Sequence, residues 1–258
     1  MTAPAIVPRL RMFAGPNGSG KSEIKTVVSK IIGEGHFGHY VNPDEIEKTI
    51  KQSGFLDFSD FNLEINEREA LDFFRKSDWL IEKGLETEAY KIRFDKNKLD
   101  FTEAEVNSYF ASVASDFIRR KLLFSKQTFT FETVMSSPDK VAFLAEAQAA
   151  GYRTYLYYVA TEDALINVSR VEFRVKEGGH NVPTGKIISR YKGSLDLLLE
   201  AIKNSNRAYI FDNSVDKFDE PINKEGIAEI TDGATIELKT DDVPAWFKKY
   251  VLDKIVGE

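Results

Sequence analysis

The sequence predicts an α/β protein: a parallel central sheet flanked by helices on both faces. Three observations predict it. Apolar runs of strand length alternate with helix-period segments through much of the chain. A glycine-rich loop stands where the first apolar run gives way to the first helix. Residues 152–160 form a near-continuous apolar run, the pattern of a strand buried on both faces.

The elements follow in order. Residues 9–14 read as the first strand and 15–20 as a loop. Residues 21–32 read as a helix, with Ile24, Val27, Val28 and Ile31 at helical spacing, stopped by Gly33 and Gly35. Residues 40–42 read as a short strand end and 44–52 as a helix. Residues 53–126 are charged and mostly helical in pattern, clearest at 110–124, and too long for a loop. They read as a helical insertion.

Residues 127–135, rich in Phe and Thr, read as a strand. A helix over 140–150 ends at Gly151, and the strand 152–160 follows. Thr161 reads as the N-cap of a helix running to about residue 177, broken by Gly178-Gly179. Residues 186–204 read as one helix and 207–211 as a buried strand. Residues 226–238 read as a hairpin around Asp232-Gly233, and 244–255 as an amphipathic closing helix. The expected organisation is one domain over 1–258. It has the insertion at 53–126, a lid region at 161–190 and a C-terminal hairpin and helix at 226–258.

Composition narrows the function. The chain has 258 residues, 42% hydrophobic and 29% charged, enough for a real core. Its formal net charge is -6 with no long basic run, which speaks against a nucleic-acid surface. The absence of cysteine removes disulfides, zinc–thiolate sites and a cysteine nucleophile. Three histidines, His36, His39 and His180, leave little room for a multi-histidine metal site. No stretch of 18 apolar residues and no signal-peptide core occurs, so no membrane association and a cytoplasmic location are expected.

Gly15-Pro16-Asn17-Gly18-Ser19-Gly20-Lys21-Ser22 fits G-x-x-x-x-G-K-[ST]. Its glycines let backbone N–H groups curl around phosphate oxygens, and the next helix turns its positive end to the same anion. Lys21 would reach the β- and γ-phosphates and Ser22 would ligate Mg²⁺. Chance would give this pattern in about one chain in a hundred of this length, and here it also lies between a strand and a helix. The expected class is a phosphate-loop (P-loop) nucleoside triphosphatase fold binding a nucleoside triphosphate with Mg²⁺.

No D-x-x-G follows, so a GTPase switch is excluded. Asn97-Lys98-Leu99-Asp100 spells N-K-x-D, but in a charged stretch with no strand expected before it, so it reads as a chance match. The protein-kinase motifs are missing too. Small-molecule or polynucleotide kinases and motor-type ATPases remain.

Ligands of open parallel sheets bind beyond the carboxyl ends of the strands, where three carboxylates stand. Asp44 is either a general base for an attacking hydroxyl or the cap of its own helix. Glu132 ends a Phe-rich strand, where a charge is costly unless a ligand or metal compensates it; Thr133 and Ser136 add hydroxyls. Asp212 is a ligand or an Asx turn. Arg170 and Arg174 share a helix face before the glycine break, and Arg190 follows. Beside a phosphate loop they suit a lid that closes guanidinium groups on the transferring phosphoryl. The alternative is a solvated face paired with Glu172 and Glu177.

The series Gly15 to Ser22, Asn42-Pro43-Asp44-Glu45, Phe131-Glu132-Thr133, Arg170 through Arg174, Gly178-Gly179-His180-Asn181-Val182-Pro183 and Asp212-Asn213-Ser214 resembles the zeta-toxin-like family of P-loop kinases. It spans about residues 9–215. The resemblance implies an ATP- and Mg²⁺-dependent kinase with an alcohol group as acceptor. The family's founding members phosphorylate a sugar hydroxyl of UDP-N-acetylglucosamine and are held off by a small helical antitoxin. By the same resemblance Asp44 matches the catalytic base, Glu132 a substrate- or metal-positioning carboxylate with Thr133 beside it, and Arg174 an arginine on the γ-phosphate. The second lid arginine falls to Arg190 or Arg170. An ATP-binding or ATPase regulatory module of a toxin–antitoxin-like system and a nucleotide or polynucleotide kinase are the competing readings.

Overall fold

The structure is a computed structural model that describes residues 7–179, 181–215 and 225–256; His180 of the expected lid lies outside the described residues. The chain divides into two compact units, residues 1–37 with 130–258, and residues 38–129. The larger unit opens with β1 (Arg9–Ala14) and α1 (Lys21–Ile32), on the bounds the apolar pattern predicts. α1 stops where the Gly33 N–H reaches the Ser29 carbonyl at 2.9 Å.

The smaller unit holds β2 (His39–Val41), α2 (Pro43–Ser53), β3 (Phe55–Asp57), α3 (Glu67–Arg75), α4 (Asp78–Glu82), α5 (Glu86–Lys91), β4 (Arg93–Asp95), β5 (Lys98–Asp100) and α6 (Ser108–Phe124). Its helices wrap a Phe-rich core in which Phe58, Phe74, Phe110 and Phe117 are buried. Besides its helices, 53–126 holds an antiparallel sheet of β3, β5 and β4 that the helical reading does not include. Strands of three residues, with five of the nine residues charged, show no alternation long enough to read. The N-K-x-D stretch does follow a strand after all. Lys96 and Asn97 take positive φ and turn the β4–β5 hairpin. Asn97 then braces its own unit: its Nδ2 donates to the Leu63 carbonyl at 2.7 Å and its Oδ1 accepts from the Ile65 N–H.

The chain returns to the larger unit through β6 (Phe129–Thr133). There follow α7 (Pro138–Ala149), β7 (Arg153–Ala160), α8 (Ala164–Lys176), α9 (Thr184–Asp196), α10 (Leu198–Lys203) and β8 (Arg207–Asp212). β9 (Ala228–Thr231), β10 (Thr235–Leu238) and α11 (Ala245–Phe247) come next, and a π-helical turn leads into α12 (Asp253–Val256). Within this unit the strands lie in the order β10-β9-β8-β7-β1-β6. β7 runs parallel to β1 and to β8, so all three end at one edge of the sheet. β9 is antiparallel to both β8 and β10.

Two boundaries differ from expectation. The α8 cap is Asp163, whose side chain accepts from the Leu165 N–H, while Thr161 is buried and faces inward. The single helix expected over 186–204 breaks at Leu197 into α9 and α10. The core behind the sheet edge stacks aromatic rings across three strands. The Phe13 ring centroid lies 4.6 Å from that of Tyr157, and that of Tyr157 5.1 Å from that of Tyr209, with the ring planes nearly parallel.

Arg11 is the odd member of this core, at 4% exposure in a central strand. Its guanidinium lies between the Phe37 and Tyr155 rings, 5.8 and 5.2 Å from their centroids, and donates to the His36 carbonyl. Its Nε has no acceptor among the described residues. Burial lowers the Arg11 pKa and pushes Tyr157 up to about 12, because both charged forms lose solvent. The aromatic faces and the aliphatic stem therefore do most of the stabilising. Arg11→Ala should lower stability by about 2–4 kcal/mol, and Arg11→Met should recover at least half of that loss, as read from urea unfolding. Equal losses in the two variants would show that the charge itself is needed.

Candidate active site

The sheet edge where β1, β7 and β8 end is the edge at which the phosphate loop begins. Two loop glycines are fixed by close approach as well as by positive φ. A Cβ on Gly15 (φ 141°) would fall on the Val159 carbonyl, and one on Gly18 (φ 76°) would lie 2.7 Å from the Asn167 carbonyl. The loop therefore nests between the end of β7 and α8. Gly20 caps α1 without a side-chain hydrogen bond, so the positive end of the α1 dipole faces the loop.

Lys21 folds back over the loop. Its Nζ donates to the Gly15 and Pro16 carbonyls at 2.9 Å each. Ser22 is exposed, and its hydroxyl donates to Glu132 Oε2 at 3.0 Å, across 110 residues of chain. The Ser19 hydroxyl and the Asn17 side-chain oxygen are buried with no hydrogen-bond partner among the described residues. Such orphaned polar atoms inside a glycine-rich loop fit a ligand that brings polar groups of its own. Ser22 and Glu132 give two oxygen donors, the chemistry of a hard cation that keeps waters and shares phosphate oxygens. No cluster of three or more His, Cys, Asp or Glu among the described residues could cage a metal alone.

The other expected residues stand as follows. Thr133 accepts from the Met135 N–H at 3.0 Å, which leaves its own hydroxyl proton for a further acceptor. Asp44 does not cap its helix: Asn42 does, its side chain accepting the Asp44 N–H at 2.9 Å, and Asp44 is exposed in the first turn of α2. Asp212 forms the Asx turn, accepting from the Ser214 hydroxyl at 2.7 Å and the Ser214 N–H at 3.2 Å; the Trp246 Nε1 also donates to it at 2.7 Å.

The arginines divide. Arg170 is tied down, its guanidinium donating to the Asn213 carbonyl at 2.7 Å and the Val215 carbonyl at 2.9 Å. These two bonds hold it against the segment that follows β8. Arg174, one turn further along α8, is exposed. The helix ends just beyond it, where the Gly179 N–H bonds the Arg174 carbonyl and the Gly178 N–H bonds Val175. Arg190 lies on α9, half-buried. α8 and α9 share a small apolar core of Val168, Val171, Val182 and Ile187.

Sequence reasoning missed two residues. Asn167 and Asn213, both buried, donate to carbonyls of the phosphate loop. Asn167 had a signal, a polar residue on the buried stripe that carries Val168 and Val171.

A parallel-sheet core with this loop, this lysine and a carboxylate beside the loop serine defines a P-loop fold of the kinase type. Residues 88–217 match the model of the family described as Zeta toxin. The chain belongs to the zeta toxin family. The matched stretch takes in Glu132, Thr133, Arg170, Arg174 and Arg190; the phosphate loop and Asp44 precede it. The fold is similar to a chain of the AvrRxo1-ORF1:-ORF2 complex with ATP, at 14% identity and TM-score 0.53, over 91% of this chain and 61% of that one. It is also similar to a structure of the PezAT chromosomal toxin-antitoxin system of Streptococcus pneumoniae, at 14% identity and TM-score 0.50, over 97% of this chain and 80% of that one. This chain thus spans about three fifths of the AvrRxo1 complex chain. A search of curated proteins finds no match. Among the described residues, no helix is long and apolar enough to cross a membrane.

Proposed function

We propose that the protein is an ATP-dependent phosphotransferase that moves the γ-phosphoryl group to a hydroxyl of a small molecule. The observation that carries this reading is the Ser22 hydroxyl on the Glu132 carboxylate at 3.0 Å, beside a lysine held over the phosphate loop. Loop N–H groups and the α1 terminus bind the phosphates, and Lys21 exchanges its two carbonyls for phosphate oxygens. Magnesium, held through Ser22 and Glu132, would neutralise charge on the β- and γ-phosphate oxygens.

The acceptor oxygen forms a new bond to phosphorus as the bond from phosphorus to ADP breaks. The acceptor's proton goes to Asp44. Arg174, with Arg190, offsets negative charge on the transferring group, and Arg170 holds the β8 loop. Thr133 orients the acceptor. Family membership makes UDP-N-acetylglucosamine the first acceptor to offer, and ATP chemistry on such a metabolite belongs in the cytoplasm.

A second reading follows from the same family membership and from the toxin–antitoxin description of the PezAT structure. The chain is then an ATP-binding toxin held by a small helical antitoxin. The test is transfer from γ-labelled ATP with Mg²⁺, offering UDP-N-acetylglucosamine beside nucleosides, nucleotides and a 5′-hydroxyl oligonucleotide. Labelled sugar nucleotide supports the first reading in full. A labelled nucleoside or oligonucleotide keeps the kinase and replaces the acceptor. Free phosphate alone, unchanged by any acceptor, favours the second reading.

A further inference from the structure

We propose that Asn167 and Asn213 are positioning residues that shape the phosphate loop from behind, so that it meets the nucleotide already formed. The inference rests on the reading that this loop binds nucleotide. A loop that turns its N–H groups toward an anion must turn carbonyls away from it, and buried carbonyls need donors. Here the donors are two side-chain amides from different parts of the chain. Asn167 Nδ2 donates to the Asn17 carbonyl at 2.6 Å, and Asn213 Nδ2 donates to the Ser19 carbonyl at 2.8 Å. The two side chains come from 150 and 194 residues away in sequence.

Each amide is itself held. Asn167 is fully buried, and its Oδ1 faces the Thr161 hydroxyl, which fixes which end of the amide meets the loop. A flipped Asn167 would set oxygen against the Asn17 carbonyl. Asn213 is 5% exposed; its N–H donates to the Ala160 carbonyl at 2.8 Å, and its carbonyl accepts from Arg170. The Asx turn at Asp212, clamped by Trp246, fixes Ser214, the residue that follows Asn213. Apart from Trp246 of α11, every donor in this brace comes from the segments that end β7 and β8 or from α8.

α8 gives the brace a second consequence. Asn167 and Val171 both lie against Gly18, and Arg174 follows Val171 by three residues on the same helix. A helix rises about 1.5 Å per residue, so Arg174 stands roughly 4.5 Å along the axis from the loop contact. One rigid helix thus sets both the shape of the loop and the reach of its arginine. Arg170 pins that helix to the 213–215 segment.

The test is Mg·ADP binding to the full chain by calorimetry. Asn167→Ala and Asn213→Ala should bind Mg·ADP about 10- to 100-fold more weakly than the parent. Ser194→Ala is the control: it removes a buried hydroxyl that bonds Tyr158 at 3.0 Å, away from the loop. It should lower the melting temperature yet bind Mg·ADP within about twofold of the parent. Should the alanine variants fail to fold, Asn213→Asp keeps the volume. An ionised carboxylate cannot donate to the Ser19 carbonyl, whereas a protonated carboxyl can. Its affinity relative to the parent should therefore recover as the pH falls from 8 to 5, which lost packing alone would not produce. Folded Asn variants that bind Mg·ADP as the parent does, or a Ser194→Ala variant equally weakened, overturn the brace alone. A parent that binds no Mg·ADP overturns the nucleotide site and the brace together.

Discussion

Lys21→Ala is expected to abolish phosphoryl transfer while leaving the fold intact. The Lys21 ammonium is half-buried and makes its two bonds to the Gly15 and Pro16 carbonyls, each at 2.9 Å. Alanine is a good helix former at the start of α1, so the helix does not suffer. What disappears is the one positive charge that the loop sequence itself carries. Removing a single charge-stabilising donor from a phosphoryl or acyl site costs about 10²–10³-fold in rate. A cation on a group that carries several negative charges stands at the upper end of that range. Nucleotide affinity should fall with it. Labelled-ATP turnover and Mg·ADP calorimetry measure the two effects. A Lys21→Ala variant with parental turnover would remove the phosphate loop from the chemistry.

The second large effect is expected from Asp44→Asn, and it should separate binding from transfer. The cap of α2 uses the Asp44 N–H, accepted by Asn42 at 2.9 Å, and asparagine keeps that N–H. The helix loses only a favourable charge in its first turn, worth about 0.3–1 kcal/mol. Mg·ADP affinity should therefore stay within about twofold of the parent. Transfer to the acceptor should drop by about 10²–10⁴-fold, the usual contribution of a general base. A transfer rate unchanged by the substitution would assign the proton to another group.

The two predictions draw on different kinds of legibility. The phosphate loop lies in eight contiguous residues, so its chemistry needs no tertiary information to be read. The same holds for β1 and α1, whose bounds coincide with the apolar pattern, and for the buried run that became β7. Glu132 was readable as a charge ending a Phe-rich strand. That its carboxylate accepts the Ser22 hydroxyl was not, since 110 residues separate them. Asp212 carried two readings, of which its hydrogen bonds show the Asx turn, and Arg170 makes contacts that neither of its readings included. Asp212 closes an Asx turn and accepts from Trp246, and Arg170 spends its guanidinium on two carbonyls.

The short hairpin of β4 and β5 escaped for a local reason. Its turn residues, Lys96 and Asn97, take positive φ without the glycine that announces such turns. Thr161 escaped as well. A threonine before a helix reads as a cap, but Asp163 took that place because Thr161 is drawn inward to Asn167.

By itself the sequence determined the α/β class, the phosphate loop and the carboxylates and arginines from which a kinase site could be built. These are properties of contiguous residues, of period and of residue chemistry. Only the tertiary structure decided which side chains stand behind the loop. Asn167 and Asn213 act on main-chain carbonyls, and a carbonyl has no residue identity to read. Which donor reaches it depends on parallel pairing that ends β1, β7 and β8 at one edge. That pairing brings the loop, the start of α8 and the turn after β8 within hydrogen-bonding distance of one another.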